Sequence, residues 1–284
     1  MSALAPFDLL YDASPGEPLP LSPELLRVYG RLSMPLLGEH SYVFGNVVET
    51  VDGVVALGRG GTTGGREISG GNPHDLMLIG LLRAVSDAIV IGAGTLRSLP
   101  RYRWTPGAPY RVFAASFEAL RKTMGKTTSP LIVVVSASGD VDLALPTFHT
   151  GSPWLVVTTR RGAARLPSHD PEGRVAIAGE GDEIPAAAIL RSIEETIGVG
   201  RVLVEGGPRL FASFFTADAL SDLFLTLSPQ LAGRDEPNER LALIAGAALA
   251  PDRPLWGHLF SVRRDGSHLF LRYGFGPDAV IGRR

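Results

Sequence analysis

No cysteine occurs among the 284 residues. That absence removes disulfides, thiolate zinc sites and cysteine nucleophiles together, and it agrees with a reducing compartment. Lysine is scarce as well: Lys122 and Lys126, both in a turn-like segment, leave Schiff-base catalysis without a good candidate. Excess charge of either sign is missing, since Lys+Arg 27 against Asp+Glu 29 gives a formal net charge of −2. A phosphate-tracking nucleic-acid binder carries a basic excess, so nucleic acid is not an expected partner. Long apolar runs are missing too. The run at 243–250 is far shorter than the ~20 residues a spanning helix needs, and the opening MSALAPFDLLYDASPGEP has no basic n-region and no sustained apolar h-region. The expectation is a soluble, cytoplasmic protein without a membrane partner.

Other chemistries fail on spacing. The six histidines (His40, His74, His149, His169, His258, His268) form no His-x-x-x-His or Glu-x-x-His pair, and no Gly-x-Ser-x-Gly elbow occurs. Serine hydrolase and histidine-rich metal enzyme recede, and no metal is expected. Gly125-Lys126-Thr127 looks like the end of a P-loop, but Leu120 stands where its first glycine belongs.

What remains is ordinary globular composition, 45% hydrophobic and 20% charged. Residues 1–40, rich in Pro and Leu, read as an irregular N-terminal extension with a short apolar helix at 23–29, and 41–284 as one domain. Within it, 41–51 is a β-rich run stopped by the turn former Asp52-Gly53. The glycine-rich stretch 58–72 reads as a mobile loop, with a lid at 58–71 as one use of it, and 75–85 carries helical spacing. Strands are expected at 88–91, 111–114, 131–136, 154–159, 175–178, 201–205 and 223–227. Helices are expected at 185–197 and 209–215, and 259–264 with 268–273 flank Asp265-Gly266 as a hairpin. The pattern predicts an α/β fold, a mixed and mostly parallel sheet flanked by helices with a C-terminal antiparallel hairpin.

Two glycine clusters follow strands. IVIGAGTLR (Gly92, Gly94, Thr95) lacks the third glycine of a dinucleotide fingerprint, because Arg97 stands there, while VLVEGGPRLFASFF packs a carboxylate, Gly206-Gly207 and a helix start directly behind a strand. Open α/β sheets bind ligands at the C-terminal ends of their strands, so both clusters can face one cofactor. Glu205 is the residue least explained by packing. Asn46 suits a ligand contact or a structural hydrogen bond, Arg83 a substrate clamp or a carbonyl cap, and Asp52 a turn or a site role.

Three ordered motifs, FGNVVETVDG (44–53), LLRAVSDAIVIGAGTLR (81–97) and VLVEGGPRL (202–210), make residues 40–275 resemble the reductase domain of the bifunctional riboflavin-biosynthesis deaminase/reductase. The resemblance implies a dihydrofolate reductase-like fold, NADPH as cofactor, a small heterocyclic substrate and a homodimer. It implies cofactor contacts at Val48, Thr50, Gly92, Gly94, Thr95, Ser136, Gly206, Gly207, Pro208, Arg209, Leu210 and Phe211. Substrate contacts are implied at Arg83 and Glu205, with Asn46 a further candidate, and an imine acceptor would take its proton from Glu205, Asp52 or ordered water. A 2′-phosphate is assigned to Ser136, Thr158, Thr159, Arg160 and Arg161. The reaction implied is hydride transfer to the ribosyl C1 of a ribosylaminouracil 5′-phosphate, and the protein positions the partners and excludes water. Three departures stand out: the sequence carries no His-x-Glu with Pro-Cys-x-x-Cys deaminase signature, Asn46 replaces a family lysine, and Leu96-Arg97-Ser98-Leu99-Pro100 replaces an Asp-Asp-Pro-type turn. A dihydrofolate or pterin reductase and a noncatalytic NADP(H)-binding dimer therefore stay open as alternatives.

Overall fold

Strands whose successive side chains are all apolar bury both faces, and the central strands of this protein are of that kind. The structure, a computed structural model of the chain, describes residues 4–58, 64–126, 128–166, 174–234 and 240–276. In chain order its strands are β1 Asp8–Asp12, β2 Glu17–Pro18, β3 Ser33–Met34, β4 Tyr42–Thr50, β5 Ala88–Gly92, β6 Leu131–Ser136, β7 Trp154–Thr158, β8 Val175–Ile177, β9 Arg201–Val204, β10 Asp222–Ser228, β11 His258–Asp265 and β12 His268–Gly274. The helices are α1 Pro23–Tyr29, α2 Gly65–Ile68, α3 Pro73–Val85, α4 Ala93–Ser98, α5 Ala114–Thr123, α6 Arg160–Ala163, α7 Ala186–Ile197 and α8 Pro208–Thr216. No helix among the described residues is long and apolar enough to cross a membrane.

The main sheet runs β1-β11-β12-β10-β4-β9-β5-β6-β7-β8, with β2 and β3 paired apart from it. From β10 to β8 all neighbours are parallel. The β11–β12 hairpin adds to β10 antiparallel, and β1 adds to β11 in the same sense. This is the expected mixed α/β fold. Period two divides each central strand. Ile89, Ile91, Ile132, Val134 and Leu203 join a core with α1, α3 and α5, and Ala88, Val90, Val133, Val202 and Val204 join one with α7 and α8. Each fully buried Leu, Val or Phe side chain contributes about 1.5–3 kcal/mol.

Three local expectations are corrected. Residues 1–40 are no irregular lead-in. Phe7, Leu25, Val28, Leu32 and Met34 lie in the first core, β1 closes one edge of the sheet, and α1 forms over 23–29 as expected behind its Ser22 cap. Residues 111–114 are not a strand but a 3-10 turn entering α5, because Phe113, Phe117 and Leu120 follow helical spacing and pack toward α3. There the ring of Phe117 fills the room left by Gly80, where a Cβ would come within 2.4 Å of it. The glycine-rich stretch contains α2, anchored by the fully buried Ile68. The middle of the suggested lid, residues 59–63, lies outside the described residues, as does His169.

Candidate active site

The parallel strands end along one edge, and both glycine clusters lie there. β9 sits between β4 and β5 although it follows them by more than a hundred residues in the chain, and such a change in strand order opens a crevice beyond the C-terminal ends. The cleft at this point has a volume of about 1700 Å³. Asn46, Val48, Gly92, Gly94, Thr95, Ser136, Glu205, Gly206, Gly207, Pro208, Arg209, Leu210 and Phe211 all line it. Thus β4, β5, β6 and β9 bring together residues spread from 46 to 211.

Gly92 and Gly207 sit at the N-caps of α4 and α8, and neither helix start has a side-chain cap. The first turn of α4 thus offers N–H groups to a ligand, an arrangement suited to an anion, whereas in α8 Pro208 has no N–H and Leu210 N–H donates to Gly207 O at 2.9 Å, which leaves the N–H of Arg209. A Cβ at Gly207 would lie 3.6 Å from Thr95 Oγ1, so the two turns nearly touch, whereas a Cβ at Gly92 or Gly94 would meet nothing within 4 Å. Gly206 is required differently: a Cβ there would lie 2.3 Å from the Leu210 side chain.

Behind these turns Arg83 and Glu205 form a buried pair. The Arg83 Nε donates to both Glu205 oxygens at 2.9 and 3.1 Å, and its second nitrogen donates at 2.6 Å. Another nitrogen donates to the Tyr102 hydroxyl at 3.0 Å, and the guanidinium lies 5.0 Å from the Trp104 ring centroid. Burial alone would lower the Arg83 pKa, but the Glu205 carboxylate and Tyr102 raise it well above its ordinary value. This corrects the substrate-clamp reading: the fork of Arg83 is already filled by Glu205, and Arg83 does not line the cleft. Glu205 does line it, fixed by its partner and by its own N–H donating to Val90 O at 2.9 Å.

Other expected site residues are not brought to the cleft. The Asp52 carboxylate accepts from the Thr50 hydroxyl and from the N–H groups of Ala232 and Gly233 at 3.1 and 2.8 Å, and these bonds hold its pKa at about 2. It pins a turn, with Gly53 at φ +76°, and does not line the cleft. Thr50 belongs to the same turn: its hydroxyl also accepts from Val54 N–H, and its own N–H donates to Val54 O. Of the groups assigned to a 2′-phosphate, Ser136 and Arg161 line the cleft. Thr158 donates to Ser136 O, Thr159 caps α6 while donating to Ala137 O, and Arg160 pairs with Glu180. Arg161 itself pairs with Asp182.

Asp75 and Trp104 are among the lining residues that escaped the sequence reading. Asp75, in the first turn of α3, is 3% exposed, and burial pushes its pKa up to about 6, with the Thr226 and Ser69 hydroxyls opposing and the Glu205 charge adding to the rise. Trp104, 4% exposed, has a buried indole N–H without a partner. Asp75 is masked in sequence by an ordinary acidic helix start, and Trp104 stands in a segment with no periodicity.

Residues 41–241 match the family described as the RibD C-terminal domain. The chain belongs to this family. A curated relative, the 2,5-diamino-6-ribosylamino-4(3H)-pyrimidinone 5′-phosphate reductase of Archaeoglobus fulgidus, is 29% identical over 199 residues, covering 69% of this chain and 84% of that one. Among solved structures, a pyrimidine reductase-like protein of Corynebacterium diphtheriae matches with TM-score 0.61 at 19% identity, over 84% of this chain and 93% of that one. The deaminase/reductase of Thermotoga maritima matches with TM-score 0.60 at 18% identity over 84% of this chain, which spans 57% of that longer protein. These structures share the fold of the RibD C-terminal domain.

Proposed function

We propose that this protein is an NADPH-dependent reductase of a ribosylaminopyrimidine 5′-phosphate, producing the ribitylamino compound. The observation that carries the reading is the meeting of two uncapped glycine–helix turns, at Gly94-Thr95 and Gly206-Gly207, beside Glu205 in one cleft. The relative's activity on a ribosylaminopyrimidinone phosphate supports the same substrate class. The cofactor fits what is present: the open space above Gly92 and Gly94 admits a pyrophosphate, and 1700 Å³ is room for a dinucleotide with a small substrate. Gly94, Thr95, Gly207 and Arg209 would hold its phosphates, Val48 would flank the nicotinamide, and Ser136 with Arg161 would take a 2′-phosphate. When bound, NADPH supplies the hydride.

The chain's own residues bind and orient. Glu205, locked by Arg83, offers carboxylate oxygens to substrate hydroxyl or N–H groups, and Trp104, Ile79 and Leu99 give the ring an apolar wall that excludes water. The homodimer and the cytoplasmic location are part of this proposal. The exposed Leu9, Leu10 and Tyr11 on the edge strand β1 suit a partner subunit, which sedimentation would test.

The deciding experiment offers the purified protein NADPH or NADH with the diaminoribosylaminopyrimidinone phosphate, the aminoribosylaminouracil phosphate or dihydrofolate. NADPH oxidation with formation of a ribityl product is the expected outcome. Turnover of dihydrofolate alone would replace the substrate, and NADPH binding without any turnover would leave a noncatalytic cofactor-binding protein.

A further inference from the structure

Three carboxylates, the buried Asp222 and the partly buried Glu205 and Asp12, each face a buried arginine: Arg272, Arg83 and Arg263 in turn. Asp75 is as deeply buried, yet among the described residues no cation pairs with it. A buried charge without a partner is costly, so its retention calls for a reason.

Helix capping does not supply one. Asp75 stands at the third position of α3, where an acidic side chain commonly reaches back to the N–H of the cap residue. Here the Asn72 N–H donates instead to Ser69 O at 3.1 Å, and Asn72 Oδ1 caps the helix by accepting from the N–H groups of His74 and Asp75. Asp75 lines the cleft together with Asn46, Ile79, Trp104 and Glu205, and its carboxyl is also met by the Thr226 and Ser69 hydroxyls. Around it lie the Arg83–Glu205 pair, the Tyr102 hydroxyl, Thr226 from β10 and Ser69 after α2. On its own helix His74 is engaged by Asp265 and by Ala5 O.

We propose that Asp75 is a catalytic acid of this cleft, handing a proton to the substrate nitrogen that receives an electron pair when hydride adds to the adjoining carbon. The inference rests on the reductase reading above. In the open-chain imine form of a ribosylamino substrate, the C=N π bond breaks and a C–H bond forms at C1 with the hydride of a dihydronicotinamide donor. The freed pair on nitrogen takes the proton from an Asp75 oxygen. The imine is reduced to an amine, the donor is oxidised, and Asp75 recovers its proton from water. Glu205, with both oxygens accepting from Arg83, binds the substrate, while Asp75, free of any cation, is the carboxyl able to carry the proton. A carboxyl with a pKa of about 6 is matched to that task near neutral pH.

The test compares wild type with Asp75→Asn. The variant is expected to lose about 100- to 10,000-fold in kcat while binding NADPH with unchanged affinity. Wild-type kcat should fall as pH rises through the Asp75 transition, and that limb should vanish in the variant. A variant within threefold of wild type that keeps the limb would overturn the proposal. A carbon-13 carboxyl titration of the free enzyme adds a readout independent of turnover. One aspartate resonance titrating near pH 6 and missing from Asp75→Asn supports the proposal, and Asp75 titrating in the ordinary carboxylate range overturns it. If wild type reduces no ribosylaminopyrimidine at all, the functional reading fails separately, and the titration still judges Asp75.

Discussion

Arg83 and Glu205 are each other's condition for burial. With side-chain exposures of 2% and 7%, neither charge survives comfortably alone, so Arg83→Gln is expected to cost about 3–5 kcal/mol of unfolding free energy in urea titrations. Gly94 is the opposite case, because a side chain there would project into open space. Gly94→Val should leave the melting temperature nearly unchanged and weaken NADPH binding at least tenfold, as read by fluorescence titration. A strong loss of stability instead would mean that the turn is structural. The residue scale is also where the sequence misleads most. Glu205 could be singled out because a carboxylate beside two glycines has no packing purpose. Asp52 could not be separated from a site residue until its three hydrogen bonds were seen, and Asp75 looked like any acidic helix start.

At the scale of elements, periodicity made most of the sheet legible. The runs at 131–135 and 202–204 are continuous, apolar and mostly β-branched, and α7 and α8 carry apolar stripes ended by Gly198 and opened by Pro208. The exceptions have local causes. The apolar run at 111–114 is too short for its period to be read, and the following Phe117 and Leu120 settle it as the start of α5 once α3 lies opposite. That contact is tight: a Cβ on Gly80 would come within 2.4 Å of the Phe117 ring and 2.8 Å of Pro106 O. Gly80→Ala is therefore expected to cost about 1–3 kcal/mol by overpacking without changing NADPH affinity, and paired denaturation and binding curves check both halves.

For the whole molecule, the opposed shifts of two carboxyls shape stability against pH. The folded state holds the Asp75 proton more tightly than the unfolded chain does, since its pKa is raised from 3.8 to about 6. Folded protein thus binds more protons between those values, and stability from this group is full below about pH 4 and declines as pH rises toward 6. Asp52, lowered to about 2, works in the other direction: its contribution is present above pH 4 and is lost as pH falls toward 2. Asp75→Asn should accordingly be more stable than wild type at pH 8, by about 3 kcal/mol if the whole shift is relieved, with the difference shrinking toward pH 4. Equal pH profiles for the two proteins would refute this. A destabilising group kept in a cleft is the pattern of a site that trades stability for chemistry.

The sequence by itself determined the central strands, the helices α1, α3, α7 and α8, the α/β order, the two glycine turns and the family, because period, caps and turn residues are local and survive without tertiary contacts, while β1, α2 and α5 emerged only from packing. The tertiary structure decided which charges are spent on the fold and which are left for a ligand. Arg83 meets Glu205 across 122 positions, Arg263 reaches back to Tyr29 O and Asp12 to bind the N-terminal segment, and Asp75 alone of these buried groups is left facing the cleft without a cation. Pairing in a low-dielectric interior depends on distances of a few ångströms between residues far apart in the chain, and no local pattern encodes them.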